Sequence, residues 1–215
     1  MRFRNILPAL QALGFLVGTY LPAFAVASLI RPQARWAIPL VIGISLCTAL
    51  LIIFFLARSS SGFRAFGFTA PQPRFFPVGL LLAPPLALAV VGLSRAFPAK
   101  PPFDLSGFPG WMIGLYFILA APIQEEVIFR GLIQSFLQQR WLGNFSLFGK
   151  AFSPAVVYTA ILFGLVHVGV GFVVVIGAVT LSLLAGELRR RTGSLLPAVL
   201  VHSLFNLADA LWPGS

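Results

Sequence analysis

The chain has two histidines, His167 and His202, and both lie in apolar stretches rather than in polar loops. Its one Glu-Glu pair sits in a similar setting, the run Glu125-Glu126-Val127-Ile128-Phe129-Arg130. An ionisable group at mid-bilayer costs on the order of 3 kcal/mol even on the lenient insertion scale, so residues of this kind are read as functional. Glu126 and Arg130 stand at i, i+4 with the acid on the N-terminal side, the favourable order for an ion pair on one helix face. That pair leaves Glu125, turned from Glu126 by about 100°, without a local cation. Phe163 and His167 share a helix face through the same spacing, as do His202 and Asn206.

A carboxylate with two imidazoles in a dry site supports two chemistries. In the first, Glu125 is the general base for a water that attacks a peptide carbonyl, and His167 holds that water. His202 and Asn206, on one face, then donate hydrogen bonds to the developing oxyanion. In the second, Glu125, His167 and His202 coordinate Zn²⁺ and leave one position open for water. The ligand types suit zinc, but the chain contains no His-Glu-x-x-His helix, so a metal site would rest on convergence in space alone. On the residues both chemistries stay open, with no cofactor assigned and zinc possible.

Such residues need apolar elements to carry them, and the composition supplies these. Of the 215 residues, 59% are hydrophobic and 9% charged, with mean hydropathy +0.96, far more apolar than a soluble domain at roughly 45–50%. The chain is therefore expected to be an integral, multi-pass membrane protein, in the plasma membrane if bacterial. The net charge of +10 does not indicate nucleic acid, because the cations stand at the ends of hydrophobic runs, where they set orientation against the anionic leaflet. The expected partners are the lipid bilayer and a membrane-associated protein or peptide. The lone Cys47 excludes an internal disulfide and any cysteine-based metal cluster.

A bilayer-spanning helix needs about 20 apolar residues. Candidates are 6–30, 36–57, 76–93, 111–139 and 194–212, the third short and broken by proline. The stretch from Pro154 to Gly186 would form a helix of roughly 50 Å, too long for one crossing, and is split at Gly169-Val170-Gly171. The fold class is thus all-α: a polytopic bundle of about seven transmembrane helices, read as one membrane domain over 1–215. The start of the chain, with Ala23-Phe24-Ala25 after an apolar run, has features of a signal peptide, but the run continues to Ile30 and fits an uncleaved first helix better. The segment 58–75, mixing Arg with Phe, is expected as an aromatic-anchored loop at the interface.

An N-in orientation puts Arg2, Arg4, Arg58, Arg64, Arg74, Arg140, Lys150, Arg189, Arg190 and Arg191 on the cytoplasmic side and leaves Arg31, Arg35, Arg95 and Lys100 outside. Cationic markers on that side then measure depth. Glu125 lies roughly 22 Å from Arg140, His167 roughly 20–25 Å from Lys150 or Ser153, and His202 roughly 16 Å from Arg191. All three fall in one band near mid-bilayer, so Glu125, His167 and His202 are expected to converge.

The ordered set Glu-Glu-x-x-x-Arg at Glu125, Glu126 and Arg130, Phe-x-x-x-His at Phe163 and His167, and His-x-x-x-Asn at His202 and Asn206 resembles the CAAX prenyl protease and bacteriocin-processing family of intramembrane peptidases, also called the abortive-infection family. The resemblance spans about 100 residues from Trp111 onward, which marks 111–212 as a catalytic core. It implies an α-helical membrane endopeptidase in which Glu125 activates water and His167, His202 and Asn206 assist, with Glu126, Arg130 and Phe163 in support. The N-terminal half carries no signature of that family.

Other intramembrane peptidases do not fit, for the chain has no Gly-x-Ser-Gly and no Gly-x-Gly-Asp. Two rival functions use the same buried groups. One is a catalytically silent immunity or scaffold protein, against which the intact polar set argues. The other is a proton-coupled transporter, which calls for discontinuous helices around a midplane site and an internal repeat.

Overall fold

The computed structural model describes residues 6–30, 37–59, 62–73, 76–96, 108–147 and 150–211. Arg2, Arg4, Arg31, Arg35, Arg74 and Lys100, which enter the orientation argument, lie outside them. Seven helices follow one another: α1 (Ile6–Leu29), α2 (Ala37–Arg58), α3 (Phe76–Ala96), α4 (Gly110–Gln138), α5 (Pro154–Leu165), α6 (Phe172–Thr192) and α7 (Leu196–Ala210). A short 3₁₀ turn, Phe63–Phe66, precedes α3. A small antiparallel hairpin, β1 (Phe145–Leu147) and β2 (Lys150–Phe152), separates α4 from α5. α1, α2, α4 and α6 are long and apolar enough to cross a bilayer, whereas α5 and α7 are shorter. The chain is an all-α integral membrane protein.

Local chemistry sets the helix ends. Pro154 and Pro197 open α5 and α7 in the first turn, where a missing N–H leaves no hydrogen bond unmade. Gly193 closes α6 in the left-handed conformation, φ 71°, with its N–H on the Arg189 carbonyl. The break between α5 and α6 is wider than Gly169-Val170-Gly171: the helix ends at Leu165, and His167 lies in the turn beyond it. His167 still keeps the i, i+4 contact that its spacing from Phe163 assigned, its ring centroid 4.8 Å from that of Phe163.

α4 is the central element. Its residues from Val127 to Leu137 pack into one apolar cluster with α1, α2 and α5, while α3, α6 and α7 form a second cluster around Ala83, Leu181, Leu188 and Val201. Polar side chains tie α4 to the other helices. Gln124 donates to the Tyr20 hydroxyl of α1 (3.0 Å) and to Ser45 Oγ of α2 (3.1 Å). Gln134 donates to the Gly186 carbonyl of α6 at 2.9 Å. Arg189 reaches from α6 to Ser135 Oγ and to the Ala65 carbonyl, both at 3.0 Å. Phe66, buried in the same core, makes the 58–75 segment a packed strut as well as a connection. Gly67 there has φ +93°, and a Cβ on it would meet the Arg189 guanidinium, so only glycine fits both the backbone and the neighbour.

Membrane helices gain close packing from small residues at their contacts. Gly164 is such a residue: a Cβ on it would overlap the Val179 side chain of α6. Gly164→Ala is expected to lower stability by about 1–3 kcal/mol through overpacking. Thermal unfolding of the purified protein in detergent checks this, and an unchanged midpoint would show that the α5–α6 contact yields freely.

Candidate functional site

The site is assembled at the seam where α7 meets α4. Glu125 and Glu126 end the α-helical stretch Ala121–Glu126 of α4, and a π-helical stretch, Val127–Gln134, follows directly. π segments are rare and concentrate at functional sites. Here the wider turn still stacks Arg130 under Glu126, with Arg130 Nε 3.0 Å from Glu126 Oε2 and both side chains fully buried. The approach is Coulombic rather than a well-directed hydrogen bond. Neither terminal nitrogen of Arg130 has a hydrogen-bond partner among the described residues.

Phe163 of α5 provides the other contact of that guanidinium, whose carbon lies 4.8 Å from the ring centroid. A desolvated cation over an aromatic face is stabilised by about 2 kcal/mol or more. The same ring packs edge-on to Phe129 at 4.9 Å, meets His167 at 4.8 Å and meets His202 edge-on at 5.8 Å. Phe163 is therefore the apolar hub around which Arg130 and both histidines are arranged.

His202 projects from the buried face of α7 and is held between the two glutamates. Its Nδ1 lies 2.9 Å from Glu126 Oε1, and its Nε2 lies 3.7 Å from Glu125 Oε2. The first distance is a hydrogen bond and the second is not. Glu126 thus has two partners, Arg130 and His202, where the sequence spacing assigned it one. Four groups form a continuous line: Arg130, Glu126, His202, Glu125. Glu125 is the only glutamate of the pair with solvent-accessible side-chain surface, at 20%.

His167 Nδ1 lies 2.7 Å from the Phe163 carbonyl oxygen. A carbonyl only accepts, so Nδ1 carries a proton and Nε2 is the ring nitrogen left to face the site. The bond also satisfies a carbonyl of the last turn of α5, which the helix end would leave unpaired.

Asn206, one turn beyond His202, donates from Nδ2 to the Phe117 carbonyl of α4 at 2.8 Å. Of the expected site residues, Glu125, Glu126, Arg130, Phe163, His167 and His202 gather around one point. Asn206 sits at the outer edge against the α4 backbone. Gln124, Tyr20 and Ser45 were not singled out in the sequence, yet they anchor the helix turn that carries Glu125. Their signal was a glutamine next to the glutamate pair and hydroxyls in the middle of spans.

Among the described residues no group of three or more His, Cys, Asp or Glu side chains is placed to hold an ion. Each histidine has Nδ1 turned to an oxygen partner, Phe163 or Glu126.

No curated protein and no solved structure matches the chain. A family model does, described as type II CAAX prenyl endopeptidase Rce1-like, and it covers residues 107–208. Those residues include all of α4, most of α7 and the site residues from Glu125 to Asn206, so over this segment, a little under half of the chain, the protein is similar to the Rce1-like family of type II CAAX prenyl endopeptidases.

Proposed function

We propose that the protein is a multi-pass intramembrane endopeptidase, oriented N-in, that hydrolyses peptide bonds of membrane-associated proteins or peptides with Glu125 as general base. The observation that carries this reading is the line Arg130, Glu126, His202, Glu125, in which one acid is locked by a cation and a histidine while the other is left accessible.

Chemistry follows from that asymmetry. Glu126, held by Arg130 and by His202 Nδ1, is occupied on both oxygens and is not the base. Its charge stabilises an imidazolium on His202, whose Nε2–H then points toward Glu125 and the reacting centre. The Nε2 lone pair of His167 accepts a hydrogen bond from the attacking water and orients it. Glu125 removes the water's other proton as its oxygen bonds to the carbonyl carbon. The tetrahedral oxyanion accepts a hydrogen bond from His202 Nε2–H. When the C–N bond breaks, the proton on Glu125 passes to the leaving nitrogen, giving a free amine and a carboxylic acid that still carries the water's second proton, and returning Glu125 to its starting state.

This route draws on no metal. Protein purified into liposomes and stripped of divalent ions by chelation is expected to retain full cleavage of membrane-anchored peptides, lipidated and unlipidated forms being compared in parallel. Loss of cleavage with recovery on added zinc would overturn the metal-free route. Absence of cleavage under every condition would overturn the peptidase reading.

A further inference from the structure

The residues around Pro122 carry a second inference, which rests on the peptidase reading. α4 contains a π-helical stretch at Leu115–Ala120, closed by the Ala121 N–H on the Tyr116 carbonyl, five residues back. In that ladder the next donor belongs to residue 122, and its acceptor is the Phe117 carbonyl. Residue 122 is proline and has no N–H. The Phe117 carbonyl is thus left without its helical partner about two turns before the glutamates. Asn206 Nδ2 donates to that same oxygen at 2.8 Å.

We propose that Asn206 is a positioning residue. It supplies the hydrogen bond that Pro122 withholds from Phe117, and so fixes α7 in rotation and height against α4. His202 lies four residues earlier on the same helix and Glu125 three residues beyond Pro122, so the bond sets the distance between imidazole and carboxylate. Pro122 and Asn206 form one device: the first creates a bare acceptor on α4 and the second is the α7 side chain that reads it. The oxyanion role that the motif suggests for Asn206 makes a different prediction about Pro122, and the two can be told apart.

The test is a double-mutant cycle of Asn206→Ala and Pro122→Ala, read by cleavage and by thermal unfolding. Asn206→Ala is expected to lower kcat by roughly 100-fold, the scale of a 1 Å misplacement, with KM little changed. Pro122→Ala returns an N–H to the helix and gives Phe117 a backbone donor. In the Asn206→Ala background it is expected to recover kcat to within about tenfold of the Pro122→Ala protein. It should also return most of an unfolding-midpoint loss of about 3 °C or more caused by Asn206→Ala alone. Asn206→Ala proteins that stay equally impaired with either residue at 122 would overturn the inference and leave Asn206 as a direct oxyanion donor. Should the wild-type protein cleave nothing, the peptidase reading fails, and the midpoints of the same four proteins decide the pairing: non-additivity supports it and simple additivity overturns it.

Discussion

Glu125→Gln is expected to abolish cleavage, by at least a factor of 10²–10⁴ in kcat, the usual contribution of a positioned general base. The amide keeps the shape of the carboxylate and cannot take the water's proton. It should do so without loss of fold, because Glu125 makes no hydrogen bond to the surrounding helices at its inner oxygen and approaches His202 only at 3.7 Å. The measurement is cleavage by wild type and variant at matched amounts of folded protein. Activity within a few-fold of wild type would remove Glu125 from the chemistry and with it the proposed mechanism.

The second large effect falls on stability. Glu126 and Arg130 are fully buried and paired, and removing one member of such a pair typically costs 3–5 kcal/mol, because the other charge is left uncompensated in a low dielectric. The structure ranks the variants. Glu126→Gln strips Arg130 of its acid and leaves the guanidinium with only the face of Phe163. Arg130→Gln leaves Glu126 still bonded to His202. Glu126→Gln is therefore expected to be the most destabilising, Arg130→Gln next and Glu125→Gln least, in unfolding midpoints measured in one detergent. Glu126→Gln should also cost activity in whatever fraction remains folded, since His202 loses the carboxylate on Nδ1. Equal midpoints for all three would show that the buried pair contributes nothing to the fold.

The two glutamates thus divide the work through adjacency on one helix. One turn of α4 leaves Glu125 partly accessible and seals Glu126 in the interior, so two identical side chains acquire different roles from environment alone. Phe163 makes that division possible. It fills the space beside Arg130 with an aromatic face rather than with water, and both histidines rest on it.

Much of this was determined by the sequence alone. Apolar runs of membrane length specify helices whatever their neighbours, because an unpaired peptide group in hydrocarbon is too costly for any other backbone. The Glu126–Arg130 pair was legible because i, i+4 contacts depend only on the helix that bears them. The approach of His202 to Glu125 was legible as a shared depth, because depth is a length along each helix.

What the sequence did not determine was how each helix is turned. In a soluble bundle the polar stripe reports that angle, whereas in a membrane the lipid-facing and core-facing sides are both apolar. Hence the hydrogen bond from His202 to Glu126, the grip of Gln124 on Tyr20 and Ser45, and the bond from Asn206 to Phe117 emerged only in the tertiary structure. α5 ends before His167, whose Nδ1 is turned back to the Phe163 carbonyl. The π-helical stretches of α4 likewise change the phase that a regular 3.6-residue count assumes. Residue types and depth identified which groups meet, and the packing of α7 against α4 decided which atoms face one another.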